Sequence, residues 1–164
     1  NEDNPKLNCR LKNLSKFSPK RIILDNYLKT RTNSYIFKTA NRKNTIIFYK
    51  QADKPRVTIF KKKGIKLVKS NLINNGYFDF KLILKKLYIL GCRNLLIEGG
   101  NDLTNNILKN KLFNEFYIFR SQKNLSKLVT HKEFNCFKYL SQNYKNRSNK
   151  NTKLGKDSIT LYKR

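Results

Sequence analysis

Apolar residues recur along this chain in short runs separated by polar, lysine-rich stretches, with one long exception. From Asp79 to Leu90 the sequence DFKLILKKLYIL places apolar side chains at 80, 83, 84, 87 and 90. That spacing is a stripe down one side of a helix. Asp79 stands where an N-cap belongs and Gly91 where a left-handed stop belongs. Arg21 to Leu24 (RIIL) and Thr45 to Tyr49 (TIIFY) read as strands, and Arg56 to Phe60 and Ile65 to Val68 as two weaker ones. Leu95 to Ile97 is an apolar run bounded by turn residues, as expected of a strand buried on both faces. A helix from 102 to about 110 carries Leu103, Ile107 and Leu108 at helical spacing, and Glu115 to Phe119 (EFYIF) makes a further strand. Strand, helix, strand in succession predicts right-handed crossovers and a mostly parallel central sheet flanked by helices, an α/β fold. Phe134 to Leu140 and Ser158 to Tyr162 read as a C-terminal antiparallel pair. The polar stretch 141–153 between them (SQNYKNRSNKNTK) reads as a flexible surface loop.

The junction at 94–106, NLLIEGGNDLTNN, has the build of an anion-binding turn. Glu98 ends the apolar run. Gly99 and Gly100 are expected to take positive φ and let a ligand approach the backbone, with Asn101 or Asp102 as the helix cap. Unbonded amides and the helix dipole then converge on one spot, which suits a phosphate.

Composition narrows the field. The 164 residues suffice for one domain with a real core, and nine Tyr and eleven Phe argue against wholesale disorder. No apolar run reaches the ~18 residues a membrane span requires. Cys9, Cys92 and Cys136 are too scattered for a disulfide framework, and with His131 as the lone histidine no Cys/His metal site is expected. Reduced thiols suit a cytoplasmic protein. The formal charge of +27 raises nucleic-acid binding, but the lysines lie on nearly every segment alongside abundant Asn, Ile, Phe and Tyr. This reads as composition bias, with no specific nucleic-acid partner. The chain starts at Asn1 and contains no Met, which points to a cropped domain.

Three motifs in order, DNPKLNCRL from Asp3, PKRIILDNYLKT from Pro19 and LLIEGGNDLTNNILKNKLFNEFYIF from Leu95, resemble the C-terminal reductase domain of the bifunctional riboflavin-biosynthesis deaminase/reductase. The resemblance covers essentially the whole chain, the middle by pattern alone. It implies a dihydrofolate-reductase-like fold and NADPH-dependent reduction of 5-amino-6-(5-phosphoribosylamino)uracil, a phosphorylated ribosylaminopyrimidine, to its ribitylamino form. Carried over by position, it sets Asp3 as the catalytic residue beside cofactor and substrate, and Leu7, Arg10 and Glu98 on the substrate. It sets Asn26 on the cofactor, where the family has Ser. Gly99, Gly100, Asn101, Asp102, Leu103, Thr104, Asn105 and Asn106 would hold the cofactor diphosphate. It implies a fused N-terminal zinc deaminase domain and a homodimer as partners. The family's domain opens earlier, with a strand and a Ser-Leu-Asp-Gly loop absent here, so the resemblance implies that 1–164 is a single reductase-like domain without its first strand and loop, inactive alone. After EFYIF the family shows Pro and Gly-Gly where this chain reads RSQKNLSKL. A catalytically degenerate scaffold for a deaminase and a basic nucleic-acid module are the alternative functions.

Overall fold

The computed structural model describes residues 4–73, 76–122, 136–150 and 155–164. Backbone contacts divide the chain into two compact units, Asn1–Ile83 and Leu84–Arg164.

In the first unit, β1 (Arg21–Leu24), β2 (Thr45–Tyr49) and β3 (Lys66–Lys69) form a parallel sheet in the order β1-β2-β3. Ile23 pairs with Ile47, and Ile47 with Leu67. The crossovers contain α1 (Tyr35–Lys38) and α2 (Lys54–Lys62). Leu28, Phe37, Ala40, Ile47, Phe60 and Ile65 form the core, with Phe37 and Phe60 packed edge to face at 5.1 Å. Arg21 is buried, its guanidinium donating to the Thr39 hydroxyl and carbonyl and to Thr45 Oγ1 at 2.7, 3.0 and 2.9 Å. This motif arginine therefore joins β1 to β2 and to the end of α1.

The run 56–60, read as a strand, lies inside α2. Asp53 starts this helix by accepting from the Arg56 N–H at 2.6 Å, and Pro55 sits in the first turn, where its missing N–H costs nothing. Helical spacing turns Val57 and, three residues on, Phe60 toward the same core and leaves Ile59 exposed.

The helix expected at 79–90 is α3 (Phe80–Ile89). Asp79 Oδ1 accepts from the Leu82 N–H at 3.1 Å, while Gly91 takes φ +83° and Cys92 N–H closes on the Leu87 carbonyl at 2.9 Å. Phe80, Ile83 and Leu87 are buried; Leu84 and Leu90 are half-buried.

In the second unit, α4 (Asn101–Lys109) and α5 (Cys136–Asn143) accompany an antiparallel sheet of β4 (Glu115–Arg120), β6 (Ser158–Lys163) and β5 (Arg147–Lys150), in that order. Leu108, Ile118, Leu140, Tyr144 and Tyr162 make its core. The mixed α/β fold with a parallel sheet and a C-terminal antiparallel pair is as expected, but several elements change place. β4 pairs antiparallel with β6, Ile118 opposite Thr160, and so does not extend a parallel sheet. Of the run read as a strand over 134–140, the described part from Cys136 is α5, whose Leu140 packs in the core with Tyr144, the residue just past the helix end. β6 takes β5 as its second partner, with strand residues 147–150 drawn from the stretch read as a loop. Residues 94–97 join no ladder among the described residues, and Leu96 is 84% exposed, so the expected buried strand is an irregular segment. An apolar run becomes a strand only where a neighbouring backbone accepts its N–H groups.

Candidate functional site

Asp3 and His131 lie outside the described residues; the remaining candidates fall into two groups, one in each unit.

In the first unit, the segment after Asp3 is held against the start of α1. Asn4 Oδ1 accepts from the Tyr35 N–H at 2.8 Å, and Asn8 Nδ2 donates to the Tyr35 hydroxyl at 3.2 Å. Asn4 and Leu7 adopt left-handed backbone, φ +41° and +48°, so the segment curls tightly around Tyr35. Leu7 is half-buried, and Arg10, three residues on, is exposed with no bond to a described residue. Asn8 Oδ1 is buried without a partner. An unpaired guanidinium beside a docked segment is what grasping an anion requires.

At the carboxyl end of β1, Asp25 and Asn26 divide the work. Asp25 accepts from Lys29 N–H at 2.8 Å and from Thr30 N–H and hydroxyl at 2.7 Å each. Arg56 continues this brace, donating to the Leu28 and Thr30 carbonyls from α2 while lying over the Phe60 ring. Asp25 is thus a loop-forming cap. The Asn26 carbonyl accepts from Lys50 and Gln51 N–H at 2.9 and 3.0 Å, and its side-chain amide reaches the Gly76 carbonyl at 3.4 Å. Arg56 and Asn4 were not singled out from sequence, because their partners lie 26 to 31 residues away.

In the second unit, Glu98 is exposed at the mouth of the turn. The two glycines differ from expectation. Neither has positive φ, and the N-cap of α4 is Gly100, at φ −69° and ψ −180°, in place of Asn101 or Asp102. Gly99 is required by packing: a Cβ there would meet Leu103 Cδ2 at 2.9 Å. Around Gly100 nothing lies within 4 Å of where a Cβ would stand. No side chain caps this helix. Its first-turn N–H groups, those of Asn101, Asp102 and Leu103, therefore have no side-chain cap. Thr104 N–H makes the first helical bond to Gly100, its hydroxyl bends back to the Gly99 carbonyl at 3.4 Å, and Asn105 Nδ2 donates to Asn101 Oδ1 at 3.1 Å. Asn106 is held by Asn110. An uncapped helix N-terminus with a glycine entrance has the chemistry of an anion site.

Among the described residues no cluster of His, Cys, Asp or Glu could hold a metal ion, and no helix is long and apolar enough to cross a membrane.

A family model described as the RibD C-terminal domain matches residues 1–123. The riboflavin biosynthesis protein RibD of Aquifex aeolicus is 29% identical over 163 residues, which are 99% of this chain and 43% of that protein. The protein of the same name from Actinobacillus pleuropneumoniae is 28% identical over 121 residues, 74% of this chain and 31% of that one. The chain thus spans less than half the length of either. Among solved structures, a pyrimidine reductase-like protein from Corynebacterium diphtheriae superposes with a TM-score of 0.65 at 14% identity, covering 89% of this chain and 61% of its own. Acinetobacter baumannii RibD gives 0.61 at 18%, covering 99% and 43%. At these identities the superpositions speak for the fold.

Proposed function

The chain belongs to the RibD C-terminal domain family, and from that membership we propose that it is a reductase of riboflavin biosynthesis, using NADPH to reduce 5-amino-6-(5-phosphoribosylamino)uracil to its ribitylamino product. The observation that carries this reading is the α4 entrance: Glu98, a packing glycine, an open glycine and an uncapped helix N-terminus in one stretch. NADPH, when bound, supplies the hydride that reduces the anomeric carbon of the ring-opened sugar imine. The chain's own part is to bind, orient and balance charge. The α4 amides hold the diphosphate, with Gly100 keeping the approach clear. Arg10 grips the substrate phosphate through its guanidinium fork. Glu98 accepts hydrogen bonds from the pyrimidine or ribityl groups. Asp3 balances the iminium charge or passes a proton to the sugar nitrogen. The relatives' greater length leaves room for a fused N-terminal zinc deaminase, and a cytoplasmic homodimer completes the reading.

The test is a pair of titrations of the full-length protein at physiological salt, one with NADPH and one with random-sequence RNA. Saturable NADPH binding with weak, salt-sensitive RNA binding supports the reductase. Submicromolar RNA affinity without NADPH binding refutes it in favour of a basic nucleic-acid module. NADPH binding without hydride transfer to the phosphorylated substrate identifies a degenerate scaffold instead.

A further inference from the structure

Tyr35 has no part in the reading above, yet it is the residue on which the segment before Arg10 is wound. Its N–H donates to Asn4 Oδ1 at 2.8 Å, and its hydroxyl accepts from Asn8 Nδ2 at 3.2 Å. The Lys6 ammonium lies over its ring, 5.6 Å from the centroid. Its carbonyl accepts from the Thr39 hydroxyl at 2.7 Å. That hydroxyl accepts in turn from the buried Arg21 guanidinium, which also reaches Thr45 on β2. One residue therefore ties positions 4, 6 and 8 to the parallel sheet.

Arg10 is held by its backbone and free at its tip. Just before it, Cys9 N–H donates to Ser18 Oγ at 3.2 Å; just after it, a turn closes with Leu14 N–H on the Leu11 carbonyl at 3.1 Å. Its guanidinium is exposed and bonds to no described residue. Two features mark the winding as costly to the fold. Asn4 and Leu7 hold left-handed backbone, at φ +41° and +48°, which non-glycine residues enter only under constraint. Asn8 Oδ1 is buried with no hydrogen-bond partner, so gripping Tyr35 through Nδ2 strands the other half of the amide. Strain and an unsatisfied acceptor in one short segment are what a fold retains where a side chain must stand in a set place.

We propose that Tyr35 and Asn8 are positioning residues that fix the backbone from which the Arg10 guanidinium meets a sugar phosphate, an inference that rests on the role given to Arg10 in the reductase reading. Neither touches the phosphate. An arginine gripping an anion loses side-chain freedom, and a backbone already fixed leaves only the side chain to order. Loosening the winding therefore costs affinity through Arg10 alone.

The probe is ribose 5-phosphate, titrated by NMR into the full-length protein and its Tyr35→Phe, Asn8→Leu, Arg10→Ala and combined Asn8→Leu/Arg10→Ala variants. Arg10→Ala should weaken binding roughly thirtyfold or more, as loss of a charged contact does. Tyr35→Phe and Asn8→Leu should each weaken it by about fivefold, the worth of one neutral hydrogen bond, and raise KM for the phosphorylated substrate by the same factor at constant kcat. Asn8→Leu should keep its melting temperature, because it removes a stranded oxygen together with one hydrogen bond. The combined variant should bind no more weakly than Arg10→Ala, since nothing is left to position. Wild-type affinity in both Tyr35→Phe and Asn8→Leu overturns the inference and leaves the reductase reading intact. So does a combined variant in which the two losses add, which would make the winding structural only. Undiminished binding in Arg10→Ala overturns it together with the role of Arg10. If the expected pattern of ribose 5-phosphate affinities holds in a protein that transfers no hydride, the inference stands and the reductase reading falls.

Discussion

Replacing Asp25 by Ala should destabilise the protein without touching any ligand. The carboxylate takes three hydrogen bonds, from Lys29 N–H, Thr30 N–H and the Thr30 hydroxyl, at 2.7 to 2.8 Å. Lys29 is exposed, so water takes over its N–H and little is lost there. Thr30 is buried, and its amide and hydroxyl would both be stranded. An unsatisfied buried donor costs roughly 1–3 kcal/mol, so the two together cost about 2–6 kcal/mol. That is a large share of the roughly 5–15 kcal/mol by which a domain is stable. The same loop holds the fully buried Leu28 at φ +53°, a conformation a bulky side chain enters only when its surroundings compel it. Asp25→Asn keeps one acceptor oxygen and should lose less. The assay is urea unfolding followed by far-UV circular dichroism, which suits a chain without Trp. A cycle with Thr30→Val gives the coupling, which should be about 1 kcal/mol or more. An Asp25→Ala stability within about 0.5 kcal/mol of wild type refutes the reasoning, since that is the scale of an inert surface change.

The two glycines should behave oppositely. Gly99→Ala, whose Cβ meets Leu103, is expected to lose roughly 1–3 kcal/mol in thermal melts, whereas Gly100→Val should fold but bind NADPH poorly; wild-type cofactor affinity in Gly100→Val would remove the diphosphate from this turn. Arg10→Ala should leave stability unchanged and cost on the order of 2–5 kcal/mol in transition-state binding, read from kcat/KM. No loss with the phosphorylated substrate would make Arg10 surface charge only. Tyr144→Phe removes a buried hydroxyl that has no partner, and its melting temperature should stay level or rise; a clear fall would show that the hydroxyl is bonded in solution. Glu115 titrates below the usual carboxylate range, first because the Tyr117 hydroxyl donates to it and then because of Lys163, while Tyr117 titrates above its usual range. A depressed acid adds stability above its unfolded pKa and loses it as pH falls through the folded value. Glu115→Gln should therefore flatten the acid limb of the stability profile slightly, and an NMR titration placing Glu115 at or above an ordinary glutamate would contradict the pairing.

α3 was fully legible in the sequence. Its apolar stripe, the Asp79 cap and the Gly91 stop are contacts between residues three to five apart, so the information lies within one window. β1 and β2 were legible for a related reason, since RIIL and TIIFY are short, apolar and bounded by turn residues. The three ordered motifs carried the family. The sequence also placed Glu98, Gly99 and Gly100 at a helix entrance, though not which glycine serves packing and which serves approach; that depends on where Leu103 lies. The direction of β4, the helical state of 56–60 and of the residues from Cys136, and the irregular course of 94–97 were settled only by tertiary structure. A strand exists through hydrogen bonds to backbone far away in the chain, and β-branched or aromatic residues favour that state only when such a partner is present.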